Sequence, residues 1–364
     1  MAAFESRGHA VAESLKWAWR DNPPKTGVTA EDLEEVAPLL LKSGAGALGW
    51  WRIRQSPVRF LSAAKSLRNA YLRYAAQGLE QANKVATLNA VLQRERVRCI
   101  LLKGLATSRF YPEPGLRPPG DIDLCVPPED RQRTRAILDK PEYRGYNVDL
   151  EHAELRRFDD RSFEEFYLHS ESIRIEGTEV RVLGNEDHLR FLCLHLLKHG
   201  GCRPLWLCDI AAVLEQIPRS FDWDRCLGSQ KPHADWILCT IGLAQDVLKA
   251  QVANPPPRLD RLRLPRWLVN SLMKQWNAPD MVNLPLLRDQ IRDQWRNPRG
   301  LVEALRSRWP NAIQATVDAN GQFDDSMRLP FQLRNCQSRI MRTAAQFFDN
   351  AIVRNGPPDH GQKS

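Results

Sequence analysis

Two aspartates that lie two residues apart are the first feature of this sequence with chemical meaning. Asp121 and Asp123 stand in the run DIDLCV (121–126), where acidic and apolar residues alternate. This alternation is typical of a β-strand, and it places both carboxylates close together on one face. Such carboxylates repel each other unless a cation lies between them, and Mg²⁺ binds carboxylate oxygens together with substrate phosphates. The run therefore predicts a site for a hard divalent cation.

A third carboxylate is available from a neighbouring segment. The run YNVDLE (146–151) alternates in the same way, and Asp149 would complete a site for two metal ions. Glu151 lies on the same face of that run and is the alternative to Asp149. The structural alternative for all these acids is a half-exposed strand with one polar face.

Residues suited to phosphate binding lie around the predicted metal site. Gly104 lets backbone N–H groups approach a phosphate without a clashing side chain, and Lys103 adds a positive charge. Arg117 lies in the proline-rich loop before the aspartates and offers a forked donor. Thr107 and Ser108 offer hydroxyl groups. Salt bridging or solvation is the alternative role for Lys103 and Arg117.

The surrounding patterns predict an α+β fold. Residues 98–102, 121–126 and 146–151 indicate strands, and 172–183 indicate a hairpin around Gly177 and Thr178. A helix is expected over 29–42, with Thr29 as its N-cap, and another over 129–139. Residues 57–97 predict two helices broken near Gly78. The small mixed sheet is therefore expected to be embedded between helical regions on both sides.

From Asn185 onward the pattern is helical, with Asn185 as the expected N-cap and Gly200-Gly201 as the end of the first helix. His188, His195 and His199 fall on one face of that helix, which raises zinc binding as an alternative. It is a weak alternative, because no glutamate follows the first histidine of the His195/His199 pair. Asp209 lies in an apolar run and needs a partner if buried. His195 or His199 is the predicted partner.

Composition restricts the class of protein. The 364 residues are 43% hydrophobic and 26% charged, which excludes wholesale disorder. No stretch approaches 18 uncharged apolar residues and no signal peptide is evident, so the cytoplasm is the expected location. The eight cysteines form no CxxC pair, and reduced thiols are expected.

Charge is unevenly distributed. Residues 113–187 hold 19 acids and 11 bases, which suits cations, whereas residues 255–348 hold 15 bases and 8 acids. Nucleic acid is therefore a conceivable partner of the basic part, although no known basic-aromatic signature supports it.

The sequence resembles the uncharacterised nucleotidyltransferase family of the polymerase-beta-like nucleotidyltransferase superfamily. The resemblance is firm over roughly residues 98–227. Its motifs are LLKG (101–104), YPEPGLRPPGDIDLCV (111–126), RGYNVDL (144–150), EVRVLGNEDHLRFLCLHLLKHG (179–200) and PLWLCDIAAVLE (204–215). Two departures from the superfamily pattern are Leu105, where a small residue is usual, and a longer gap between Gly104 and Asp121.

The resemblance implies transfer of a nucleoside monophosphate, AMP from ATP, to a hydroxyl group of an acceptor, with release of pyrophosphate. It implies two Mg²⁺ ions held by Asp121, Asp123 and Asp149, which would be the catalytic residues. It also implies nucleotide binding by Lys103, Gly104 and Arg117, with Thr107 or Ser108. A catalytically inactive binding module, as one partner of a two-protein system, is the alternative that Leu105 favours.

Five parts of the chain are predicted. They are an N-terminal helical region (1–97), a nucleotidyltransferase core (98–184), a helical subdomain that closes the cleft (185–254), a basic helical region with tryptophans (255–354) and a disordered tail (355–364).

Overall fold

A computed structural model describes residues 2–150, 161–277, 309–339 and 341. Within them the fold is α+β, as predicted: a small five-stranded mixed sheet is flanked by helices. The predicted tail at 355–364 and Glu151 lie outside the described residues. The five-part division of the chain stays a prediction.

The sheet has the strand order β3-β2-β1-β5-β4. Pairing is antiparallel between β1 and β2 and between β4 and β5, and it is parallel between β2 and β3 and between β1 and β5. Every predicted strand is present, although the first is shorter than expected. The strands are β1 (Ile100–Leu101), β2 (Ile122–Cys125), β3 (Val148–Leu150), β4 (Glu171–Ile175) and β5 (Thr178–Val182).

Four helices precede the sheet, and the last of them corrects an expectation. They are α1 (Ala2–Leu15), α2 (Ala30–Lys42), α3 (Gly46–Ile53) and α4 (Ser62–Arg94). Thr29 caps α2 in a capping box with Asp32, as predicted. The predicted break near Gly78 is wrong, because α4 runs through it. Gly78 is buried, and the loop around Gly115 packs so closely on α4 that a Cβ at Gly115 would lie 2.8 Å from that of Ala75.

The remaining helices surround and follow the sheet. They are α5 (Leu105–Ser108), α6 (Arg131–Leu138), α7 (Phe163–Leu168), α8 (Asn185–Lys198), α9 (Pro204–Leu214), α10 (Trp223–Leu227), α11 (Lys231–Leu248), α12 (Pro257–Asp260), α13 (Arg266–Asn277) and α14 (Ala312–Asp318). The N-cap of α8 is Gly184, one residue before the predicted Asn185. Gly200 and Gly201 follow α8 with φ of 64° and 70°, and they end it as predicted.

The two faces of the sheet pack against different helices. On one face, Val85, Leu88 and Leu92 of α4 share a core with Leu101 and Ile122. On the other face, side chains of β1 and β2 pack against α7 and α8; these are Ile100, Cys125, Phe163, Phe166 and Phe191. Asp123 has the same strand parity as Cys125, so the predicted metal-binding carboxylates belong to the face covered by α7 and α8.

A single large core joins the N-terminal helices to the helices that follow the sheet. Helix α1 lies so close to α13 that a Cβ at Gly8 would be 2.4 Å from the carbonyl oxygen of Met273. The Trp17 indole donates a hydrogen bond of 3.1 Å to the Lys249 carbonyl. Segments that are distant in sequence therefore stabilise one another directly.

All eight cysteines are free thiols, and six of them are buried, as predicted. Among the described residues, no helix has the length and apolar character required for a membrane span.

Candidate active site

The three predicted carboxylates belong to one face of two neighbouring strands. Asp123 of β2 is the register partner of Asp149 of β3, and partners in neighbouring strands project from the same face. Asp121 precedes Asp123 by two residues, and its carboxylate accepts a hydrogen bond from the Asn147 amide. Asp123 is 3% exposed, whereas Asp121 and Asp149 are exposed. Sheet register, rather than proximity in sequence, brings Asp149 to the pair.

Lys103 neutralises the buried carboxylate of this group. Its Nζ lies 3.0 Å from Oδ1 of Asp123, and a buried carboxylate is costly unless it is paired. The backbone holds the pair in place, because the N–H of Leu102 donates to the Asp123 carbonyl over 3.0 Å. Lys103, the predicted phosphate contact, therefore lies beside the carboxylates.

The turn after β1 requires a glycine. Gly104 has φ 67° and ψ −117°, which side chains other than hydrogen rarely permit. A Cβ at this position would lie 3.5 Å from the carbonyl oxygen of Asp121. Gly104 thus keeps the backbone open beside the start of the carboxylate strand, as phosphate binding there would need.

Asp209 is fully buried, and its partners differ from the predicted ones. Its carboxylate binds Arg117 in a bidentate manner, with 3.0 Å from Nε to Oδ1 and 3.1 Å from Nη2 to Oδ2. The Tyr111 hydroxyl donates to Oδ1 over 2.8 Å. The prediction that His195 or His199 pairs with Asp209 is therefore wrong, because α9 directs the Asp209 side chain toward the proline-rich loop. Two donors of Arg117, a predicted phosphate contact, are committed to Asp209.

This buried network shifts the pKa values of its members. Burial raises the pKa of the Tyr111 hydroxyl well above its ordinary value, and the Asp209 charge adds to that shift. Burial opposes the charge on Arg117, but Asp209, together with Tyr111 and Asp123, more than offsets burial and raises the pKa of the guanidinium. Arg117 therefore remains a fixed cation over the whole working pH range.

The two predicted hydroxyl groups lie in different environments. Thr107 is fully buried, and its Oγ1 lies 3.2 Å from Nε2 of His188. One turn of α5 directs this side chain into the interior, and its contact with phosphate stays a prediction that the burial does not favour. Ser108 is partly exposed and donates to the Leu105 carbonyl over 2.8 Å.

A cleft of about 390 Å³ opens beside Gly104, between α4, α5, β4 and the proline-rich loop. We call it the proline cleft. Three predicted nucleotide-binding residues, Gly104, Ser108 and Arg117, line it together with four prolines and apolar side chains. Its walls include Leu79, Ala82, Pro112, Pro114, Pro118, Pro119, Ile173 and Ile175. This cleft could not be predicted from the sequence, because α4 and β4 are distant from the proline-rich loop along the chain.

An aromatic group lies beside Lys103 on the carboxylate face. The Lys103 Nζ is 5.9 Å from the Phe191 ring centroid, and Phe191 stacks on His195 at 6.1 Å. Trp206 contacts the rings of His195 and His199 at 4.7 and 5.2 Å. Burial first, and then Lys103, holds the pKa of His195 well below its ordinary value, so this imidazole is neutral. Phe191 was detectable from its spacing of four residues before His195, whereas Trp206 carried no comparable signal.

The carboxylates have the donor chemistry of a hard-cation site, since they supply oxygen ligands from adjacent strands. Asp123 and Asp149, as register partners, lie on the same face of the sheet. Within residues 2–150, 161–277, 309–339 and 341, however, no three His, Cys, Asp or Glu side chains converge to hold a metal ion. Asp123 binds Lys103 instead. Magnesium therefore stays a prediction, and the zinc alternative at His195 and His199 gains no support from the described residues.

Acidification is expected to destabilise the protein through His188. This imidazole is fully buried, and burial, followed by Arg109 and Arg117, holds its pKa well below 6.5. A histidine with a lowered pKa in the folded state binds its proton preferentially after unfolding. The contribution of neutral His188 to the free energy of unfolding is therefore complete above pH 6.5 and is lost progressively at lower pH. Urea unfolding at about pH 7.5 and about pH 5 measures the loss.

A matched substitution identifies the group responsible. His188→Gln should reduce the fall in unfolding free energy between the two pH values, whereas His169→Gln, at an exposed histidine, should leave the fall as in the wild type. Equal pH dependence in all three proteins would contradict the assignment to His188.

Comparison with known proteins adds one finding. A family model described as uncharacterised nucleotidyltransferase matches residues 29–241, more than half of the chain. Curated proteins and solved structures give no match. The matched segment contains the carboxylates, Lys103, Gly104, the buried Arg117–Asp209 pair and the aromatic group.

Proposed function

The chain belongs to the uncharacterised nucleotidyltransferase family, and on that premise we propose that it transfers AMP from ATP to a hydroxyl group of an acceptor. Family membership supports nucleotidyl transfer in general and a nucleoside triphosphate as substrate. The observation that carries the finer proposal is the strand register that sets Asp121, Asp123 and Asp149 on one face.

The residues of the chain have distinct roles in this proposal. Lys103 neutralises charge on the triphosphate, and the open backbone at Gly104 admits its oxygens. Arg117 does not contact the triphosphate in this proposal; its guanidinium, which Asp209 holds rigidly, adds a fixed positive charge beside the site. Asp149 is exposed on the carboxylate face and accepts the proton of the acceptor hydroxyl.

Asp121, Asp123 and Asp149 would hold two Mg²⁺ ions, which when bound neutralise phosphate charge and acidify the acceptor hydroxyl. In the reaction, the acceptor oxygen forms a bond to the α-phosphorus, and the bond from that phosphorus to the bridging oxygen of pyrophosphate breaks. The hydroxyl proton passes to Asp149, and pyrophosphate leaves with the electron pair. Position and charge neutralisation then supply most of the rate.

A second candidate function is a catalytically inactive binding module. The Lys103–Asp123 ion pair favours it, because an ammonium group occupies a carboxylate that a metal ion would need. Leu105, in place of the usual small residue, points in the same direction. Such a module would bind a nucleotide or a protein partner without a requirement for a divalent cation.

Calorimetric titration with ATP, in the presence and absence of Mg²⁺, separates the two functions. For an active enzyme we expect ATP binding that requires Mg²⁺ and that weakens at least about tenfold in Asp121→Asn/Asp123→Asn, because both substitutions remove metal ligands. Parallel titrations with GTP, CTP and UTP test the preference for ATP.

The control is Asp139→Asn/Glu142→Gln, which removes two exposed acidic side chains elsewhere in residues 98–184 and leaves the candidate site unchanged. It should bind ATP as the wild type does. Equal ATP binding with and without Mg²⁺, unaffected by Asp121→Asn/Asp123→Asn, would favour the inactive module. Lack of binding to every triphosphate would contradict the proposed enzyme.

A further inference from the structure

The proline cleft has the size and surface of a site for a small organic ligand. Its volume of about 390 Å³ falls in the range that such ligands occupy. Prolines and aliphatic side chains form most of its wall, and Leu79 at its edge is 61% exposed. An exposed leucine beside other apolar side chains favours contact with an apolar group rather than with a triphosphate.

The charged groups of the cleft favour an anion. Arg109, Arg117 and Arg174 line it, and Glu176 is the one acid among its lining residues. Arg117 is 9% exposed, and both Nε and Nη2 bind Asp209, which leaves Nη1 for a ligand. A guanidinium fixed in this way loses little conformational entropy when it binds an anionic group.

One end of the cleft lies at the Gly104 turn. Gly104 lines it, and a Cβ at Gly104 would lie 3.5 Å from the Asp121 carbonyl oxygen. The backbone there carries no side chain that would separate the cleft from the start of β2. The cleft lies on the α4 side of the sheet and the carboxylates on the side of α7 and α8, so the Gly104 turn is the place where a ligand in the cleft would pass toward them.

We propose that the proline cleft binds the acceptor, a small molecule with an apolar body, one anionic group and a hydroxyl group. The inference rests on the proposed nucleotidyl transfer and names the class of its second substrate. The apolar body lies against Leu79, Ala82 and the prolines, and Nη1 of Arg117 binds the anionic group. The nucleotide lies at Lys103 and the carboxylates, on the other side of the Gly104 turn.

The test uses 8-anilinonaphthalene-1-sulfonate, an aromatic sulfonate with the required apolar body and anion, without nucleotide or metal. We expect binding at one site per chain, detected by fluorescence. Ala82→Phe, which fills the cleft, and Leu79→Asp, which places a negative charge at its edge, should each weaken binding about tenfold or more. Leu72→Asp is the matched control, since Leu72 is an exposed leucine on the same helix outside the cleft. Thermal unfolding of each variant establishes that it is folded.

Titration with ATP then distinguishes the acceptor from the nucleotide. Ala82→Phe should bind ATP and Mg²⁺ with wild-type affinity, and Asp121→Asn/Asp123→Asn should bind the sulfonate with wild-type affinity. No sulfonate binding by the wild type, or equal binding by all variants, would overturn the inference. Loss of ATP binding in Ala82→Phe would also overturn it, because the cleft would then hold the nucleotide. If the wild type binds the sulfonate in the cleft but binds no triphosphate, the proposed function fails and the acceptor assignment falls with it.

Discussion

Asp209→Ala is expected to lower the free energy of unfolding by about 3–5 kcal/mol, because it leaves the Arg117 charge buried without its partner. Asp209 is fully buried and Arg117 is 9% exposed, so water cannot replace the lost carboxylate. The substitution also removes the acceptor of the Tyr111 hydroxyl hydrogen bond. Urea unfolding, followed by the fluorescence of the 11 tryptophans, measures the change.

Two further proteins show whether the unpaired charge is the cause. Tyr111→Phe removes only one hydrogen bond and should cost about 1 kcal/mol. Arg117→Met/Asp209→Leu removes both charges and should be more stable than Asp209→Ala, because no charge is then left buried alone. Wild-type stability of Asp209→Ala would mean that the pair contributes nothing to folding.

Asp149→Asn is expected to reduce the rate of nucleotidyl transfer about 10²–10⁴-fold, the usual cost of removing a positioned general base. Asp149 lies beside Asp123 in the parallel ladder, and it is exposed to an incoming hydroxyl group. Affinity for ATP should change much less than the rate, because Asp121 and Asp123 are both retained. Transfer of label from α-labelled ATP to acceptors in a cell extract gives the rate, and calorimetry gives the affinity.

Asp139→Asn serves as the control, because Asp139 is an exposed acidic residue directly after α6 and outside the candidate site. It should transfer label at the wild-type rate. Glu151→Gln tests the alternative that the sequence left open. A loss of transfer in Glu151→Gln together with full activity of Asp149→Asn would assign the third carboxylate to Glu151.

Local patterns were sufficient for the elements of the sheet. Alternating residues predicted β2, β3 and the β4–β5 hairpin, because a strand with one buried face shows a period of two. The two glycines after α8 predicted its end for an equally local reason. The continuity of α4 was harder to predict, since its contact with the proline-rich loop, where a Cβ at Gly78 would lie 4.0 Å from the Pro114 carbonyl oxygen, joins residues that are distant in sequence.

The candidate site was predictable only where its residues are neighbours in sequence or follow from strand alternation. Asp121 and Asp123 are two residues apart, and Asp149 was predicted because it lies in a second run of alternating residues. The Arg117–Asp209 pair joins residues 92 positions apart, so no spacing rule could connect them. The burial of Thr107 was not predictable, because the sequence does not show which side of the single turn α5 is buried.

The large core that unites α1 with α13 has a consequence for biosynthesis. While the N-terminal helices leave the ribosome, the residues that cover them, such as Met273 and Lys249, have not yet been synthesised. Until then the face of α1 that α13 covers stays exposed, and exposed apolar surface on a nascent chain attracts chaperones and favours aggregation. The contacts of α1 and Trp17 with Met273 and Lys249 therefore form late, after more than two thirds of the polypeptide has emerged.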